Sequence, residues 1–160
     1  MRFGRAVGAA LVIAALVAAG CSDDDAVSTA TTQQAQVDEA SRQNACPVDG
    51  CTITITDVQP EGDELRITWD ANFEPDFSKN HLHVYWDTYT ADQVTNDAVD
   101  RNETQGEWVP TADYPEFVTQ DVVSTSARGD STTICVTAGD RDHNVIDSTI
   151  VDCRDVSTLL

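Results

Sequence analysis

Positive charge is what this chain has least of. Nine Lys and Arg stand against 28 Asp and Glu in 160 residues. Phosphate binding depends on clustered basic side chains, so the imbalance excludes nucleic acid as a partner and argues against lying flat on anionic lipid. Catalytic motifs are equally scarce. There is no G-x-S-x-G, no phosphate loop, no H-E-x-x-H and no C-x-x-C, because four residues separate Cys46 from Cys51. With 28 acids, carboxylate pairs arise everywhere and single out nothing. The expectation is a non-enzyme without a resident cofactor. A helical apolar period is nearly missing too, with residues 90–99 suited only to a short turn. The one apolar run, residues 6–19, is shorter than the ~20 residues a spanning helix needs.

What is present begins with an export signal. Arg2 and Arg5 precede that apolar run, which closes on small residues, as a secretory signal peptide over 1–20 does. The stretch Ala18-Ala19-Gly20-Cys21 resembles the lipobox of bacterial lipoproteins. The resemblance implies lipidation at Cys21 and a place on the extracytoplasmic face of the cell membrane, with the acyl chain as the only membrane contact. Removing 1–20 takes away two arginines and no acid, leaving seven bases against 28 acids, a net charge of −21. Residues 21–45 are Ser, Thr, Gln, Ala and Asp without an aromatic, a composition that cannot bury enough apolar surface to fold. They are expected to form a disordered tether of ~25–30 Å average reach. The folded domain is then 46–157.

Within the domain the apolar period is two. Ile53 and Ile55, then Leu65, Ile67 and Trp69, then Leu82, Val84 and Trp86, then Ile134, Val136 and Ala138 each alternate with polar neighbours. A weaker candidate strand lies in 117–123, and a last one lies in 149–156. Turn clusters such as Pro60-Glu61-Gly62-Asp63 separate them. Six or seven short strands on ~110 residues predict an all-β antiparallel sandwich. Cys46, Cys51, Cys135 and Cys153 form an even set in an exported chain, so two disulfides are expected out of three pairings. Spacing favours Cys46–Cys51, closing the CPVDGC loop, and Cys135–Cys153 across a hairpin of the last two strands.

Three segments resemble fibronectin type III domains. GDELRITWDANF is similar to the second strand of that family with its core tryptophan, HLHVYWDT to the strand after it, and TTICVTAGDRDHN to the sixth strand and its loop. The resemblance implies an immunoglobulin/fibronectin III-like sandwich of about seven strands. Thr132 stands where the family usually opens its sixth strand with tyrosine.

Three groups of residues are candidates for function. On a strand, His81, His83, Tyr85 and Asp87 share one face, and the apolar set at 82, 84 and 86 predicts that this face is a polar, outward ridge. Two histidines ~6.5–7 Å apart can chelate a transition metal, with His143 or Asp87 completing the set if the 140–144 loop reaches the ridge. Asp140-Arg141-Asp142-His143-Asn144 opens like a calcium loop. Val145 and Val151 then occupy the places an EF-hand gives to Gly and Glu, so a turn bonded by its own Asp and Asn side chains is the better reading. Trp108 and Tyr114, in a segment too long for a bare turn, are candidates for a glycan or peptide surface, or for capping the core. Taken together, the residues predict a cell-envelope lipoprotein that binds an envelope protein or glycan without catalysis. The alternative is an extracytoplasmic metal-binding protein using His81, His83 and His143.

Overall fold

The computed structural model describes residues 46, 47 and 50–160. The expected signal peptide, the lipidation site Cys21 and the linker through residue 45 lie outside the described residues. Among those described, seven strands form two antiparallel sheets: β1 (Ile53–Glu61), β2 (Glu64–Ala71), β3 (Asn80–Trp86), β4 (Val109–Thr111), β5 (Glu116–Val118), β6 (Thr133–Asp140) and β7 (Val151–Asp155). One sheet runs β1-β2-β5 and the other β4-β3-β6-β7. The fold is an all-β antiparallel sandwich of seven strands, as expected.

Sequence explains the strand details. Glu61 pairs with Glu64 across a two-residue turn, and Gly62 at φ 65° supplies the positive dihedral that the first position of a type II′ hairpin requires. In β1 the buried residues are Ile53, Ile55 and Val58, which breaks strict alternation. A register shift between Ile55 and Asp57 adds one residue there and returns Val58 to the inner face. Ile55, Leu65, Ile67 and Trp69 then meet Leu82, Val84, Trp86, Ile134 and Val136 between the sheets, with Trp69 stacked on Phe117 at 5.9 Å. Each fully buried Leu, Ile or Val contributes ~1.5–3 kcal/mol of transfer free energy. Both disulfides are formed: Cys46–Cys51 at the start of the domain, and Cys135–Cys153 between directly paired residues of β6 and β7 with Cα atoms 4.1 Å apart.

Three expectations need correction. The 117–123 candidate strand is extended only over Glu116–Val118; Asp121 adopts φ 51°, which no strand tolerates, and Asp121–Val123 is a 3₁₀ turn. Strand β4 (Val109–Thr111) has no alternation in the sequence to announce it, being three residues long with a central proline. The largest correction concerns β3. Its polar face is not an outward ridge, because His81, His83 and Tyr85 are all buried, the histidines completely. The reason is a third layer. The connection between β3 and β4, residues 87–108, folds back over the outer face of the four-stranded sheet and packs Ala91 and Val94 against Tyr85, Cys135 and Val145, with Tyr89 and Trp108 at the margin.

Candidate metal centre

Strand β3 delivers two of the site's side chains. His81 pairs with Gly139 of β6 and His83 with Thr137, so both imidazoles stand on the outer face beneath the 87–108 segment. The third arrives on the β6–β7 turn. Asp140 Oδ1 accepts from the backbone N–H groups of Asp142 (2.8 Å) and Asn144 (2.9 Å), and His143 N–H donates to Asp140 O (2.9 Å). This side-chain-bonded turn sets His143 at φ 63°, a left-handed conformation that His adopts more readily than most residues. The Asp140–Asn144 segment therefore spends its oxygens on its own backbone and carries an imidazole to the sheet.

The three rings converge. His83 Nε2 lies 3.1 Å from His81 Nε2, and His143 Nδ1 lies 2.8 Å from the same His81 atom. One ligand nitrogen from each ring falls within 4.8 Å of the others. The covering segment holds two of them. His83 Nδ1–H donates to Val94 O at 2.7 Å, while Asn96 donates its backbone N–H to His143 O (2.9 Å) and its amide to Asp142 O (2.8 Å). Thr95 Oγ1, between these residues, accepts from Val145 N–H at 2.9 Å. For His83 this suits a metal ligand, because an acceptor on Nδ1 fixes the lone pair on Nε2.

Protons on neutral rings cannot satisfy both imidazole contacts. Val94 O can only accept, so His83 carries its proton on Nδ1 and presents a bare Nε2. A proton on His81 Nε2 can be aimed at His83 or at His143, not fully at both. If His143 Nδ1 donates instead, two lone pairs face each other across the 3.1 Å contact, and the His81 proton moves to Nδ1, which is buried without a partner. Added protons are disfavoured as well. Burial holds the His81 pKa down at about 4, with His143 lowering it further and Asp140 opposing. Burial holds His83 at about 3, against the pull of its bond to Val94 O and with His81 and His143 adding to the fall. A cation accepting one lone pair from each ring would satisfy both contacts at once.

Aromatic rings enclose the cluster. Trp108 stacks on His83, with centroids 3.8 Å apart and planes at 19°, and lies 5.7 Å from His143. Phe77 sits 5.0 Å from His81 and 6.4 Å from His143. The opposite face of His83 rests on Gly139, where an added Cβ would overlap the ring at Nε2. Glycine is required there for the imidazole to lie against the strand.

The other candidates lie apart. Asp87, ~13 Å along the strand from His83, is exposed and accepts from Ser131 Oγ. Tyr114 is exposed and donates to Asp70 Oδ1 of β2 at 3.2 Å. Trp108 is thus a wall of the imidazole cluster, not a partner of Tyr114. Sequence reasoning missed Phe77, Val94, Asn96 and Gly139. Their role depends on where the long connection lies, although the unusual length of that connection was a usable signal. No known protein family, curated protein or solved structure matches this chain.

Proposed function

We propose that this protein is an extracytoplasmic metal-binding lipoprotein that holds a divalent first-row transition ion, zinc or copper, on His81 Nε2, His83 Nε2 and His143 Nδ1. The convergence of three imidazoles, two of them fully buried, carries the reading. Imidazole suits Zn(II) and Cu(II), whereas calcium and magnesium take oxygen ligands and Cu(I) favours sulfur. The four cysteines of the domain are paired as disulfides, so the donor set is nitrogen alone. A tetrahedral ion with bonds of ~2.0–2.1 Å sets its nitrogens ~3.3–3.4 Å apart. The 2.8 and 3.1 Å contacts therefore open by a few tenths of an ångström on loading, and the half-buried His143 on its turn is the ring free to give. An acyl anchor at Cys21 would keep this acidic domain near the membrane while it captures ions outside it.

Calorimetric titration with Zn(II), Cu(II) and Ca(II) tests the proposal. One equivalent of Zn(II) or Cu(II) is expected to bind far more tightly than ~0.1 mM, with no calcium binding and with loss of the site in His81→Leu and His143→Ala. Binding weaker than that, or unchanged in both variants, overturns it.

A further inference from the structure

A three-imidazole site leaves open which ions it admits, and here the surroundings decide. This step rests on the metal-binding reading above. His83 cannot move aside, because Gly139 lies against one face of its ring and the indole of Trp108 against the other. The same indole reaches His143, and Phe77 reaches both His81 and His143, so each aromatic ring spans two of the three ligands. An ion seated among the three nitrogens would thus have aromatic carbon on two sides. Phe77 is 49% exposed, which puts that side of the site toward water. A π-face attracts the ion's charge but supplies no lone pair to coordinate it. An octahedral ion needs three further oxygen or nitrogen ligands, and two aromatic rings flanking the three imidazoles leave less room for three than for one. A four-coordinate ion needs only one.

We propose that Trp108 and Phe77 are the specificity-determining residues of this site, holding the ion to three imidazoles and one small ligand and so selecting Zn(II) and Cu(II) over ions that demand six ligands, such as Ni(II) and Mn(II). Neither residue is a ligand. Their contribution is exclusion, and it acts on which metal binds more than on whether one binds.

Cobalt(II) bound to the full chain reads this out, because its visible absorption is intense when four-coordinate and weak when six-coordinate. Wild type is expected to give the intense spectrum. Trp108→Ala and Phe77→Ala are expected to shift toward the weak form and to raise the Ni(II)-to-Zn(II) affinity ratio by about ten-fold. Trp108→Phe, which retains an aromatic wall, is expected to stay near wild type. Phe77 is half-exposed, so its variant tests the idea even if loss of Trp108 disturbs folding. An intense spectrum and an unchanged Ni(II)-to-Zn(II) ratio in Phe77→Ala overturn the selectivity proposal while leaving metal binding intact. Failure of wild type to bind any of these ions overturns both.

Discussion

Strand β3 is buried on both sides, and its two faces follow different rules. Inward, Leu82, Val84 and Trp86 meet the apolar side chains of the opposite sheet and gain by leaving water, with the Trp86 indole N–H the one polar group of the three, left without a partner. Outward, His81, His83 and Tyr85 are equally hidden, but each burial there raises a demand. Tyr85 is pushed to a higher pKa by burial and by Asp92, the imidazoles are pushed down, and His81 Nδ1 lacks any partner. Burying a polar group without a hydrogen bond costs ~1–3 kcal/mol by mutational measures. The inner face therefore stabilises the fold, while the outer face brings together three imidazole nitrogens whose contacts protons on neutral rings cannot all satisfy. That difference separates scaffold from site more sharply than exposure does.

The sharpest way to break the comparison is to mutate neighbours on opposite faces. Leu82→Ala should cost about 2–5 kcal/mol in denaturant unfolding, yet leave metal affinity unchanged wherever the protein remains folded. His81→Leu should do the reverse. It keeps the volume and removes Nδ1, which has no partner, but also takes Nε2 from His83 and His143, so metal-free stability should fall by much less than in Leu82→Ala. Metal affinity should meanwhile fall by more than the 10–100-fold that supporting groups contribute. Equal destabilisation by both substitutions would erase the distinction.

Of the two faces of β3, acid should act on the outer one. The folded pKa values of His81 and His83, about 4 and about 3, lie below the unfolded value near 6.5. The unfolded chain therefore binds more protons through that window. The contribution of each ring is fully present above pH 6.5 and is lost as pH falls toward the folded pKa. At pH 5 the metal-free protein should be less stable by about 2 kcal/mol per ring, measured by urea unfolding against pH. His81→Leu should remove about half of this dependence.

Gly139→Ala places a methyl group where the His83 ring lies. It should cost about 1–3 kcal/mol in stability, as overpacking does, and weaken metal binding because the ring must move. The smallest effect is expected for Asn96→Ala, which removes the amide bond to Asp142 O but keeps the backbone bond to His143 O, and so loosens the His143 turn only in part. A loss of about ten-fold in affinity with ~1 kcal/mol or less of stability is predicted, from calorimetry and thermal melts.

Much of the sandwich is legible in the sequence because alternation is a local property. Leu65, Ile67 and Trp69 share a face whatever surrounds them, and so do Leu82, Val84 and Trp86. Alternation states that two faces differ; it does not state which is wet. His81 and His83 look solvated until the 87–108 segment is laid over them, and that segment is only thinly apolar, with Ala91, Val94 and Ala98 as its buried contacts. Trp108 reads as a surface aromatic for the same reason, since its partner His83 is 25 positions away on another element. The spacing of His81 and His83 was visible from the start. The arrival of His143 depends on the Asp140 turn, whose bonding is local, and on its register with β3, which is not.

X-ray absorption at the metal edge of the zinc- or copper-loaded protein tests the central claim most directly. The account predicts three imidazole nitrogens at about 2.0 Å, falling to two in His143→Ala. A first shell of oxygens, or an imidazole count unchanged by that substitution, would contradict it.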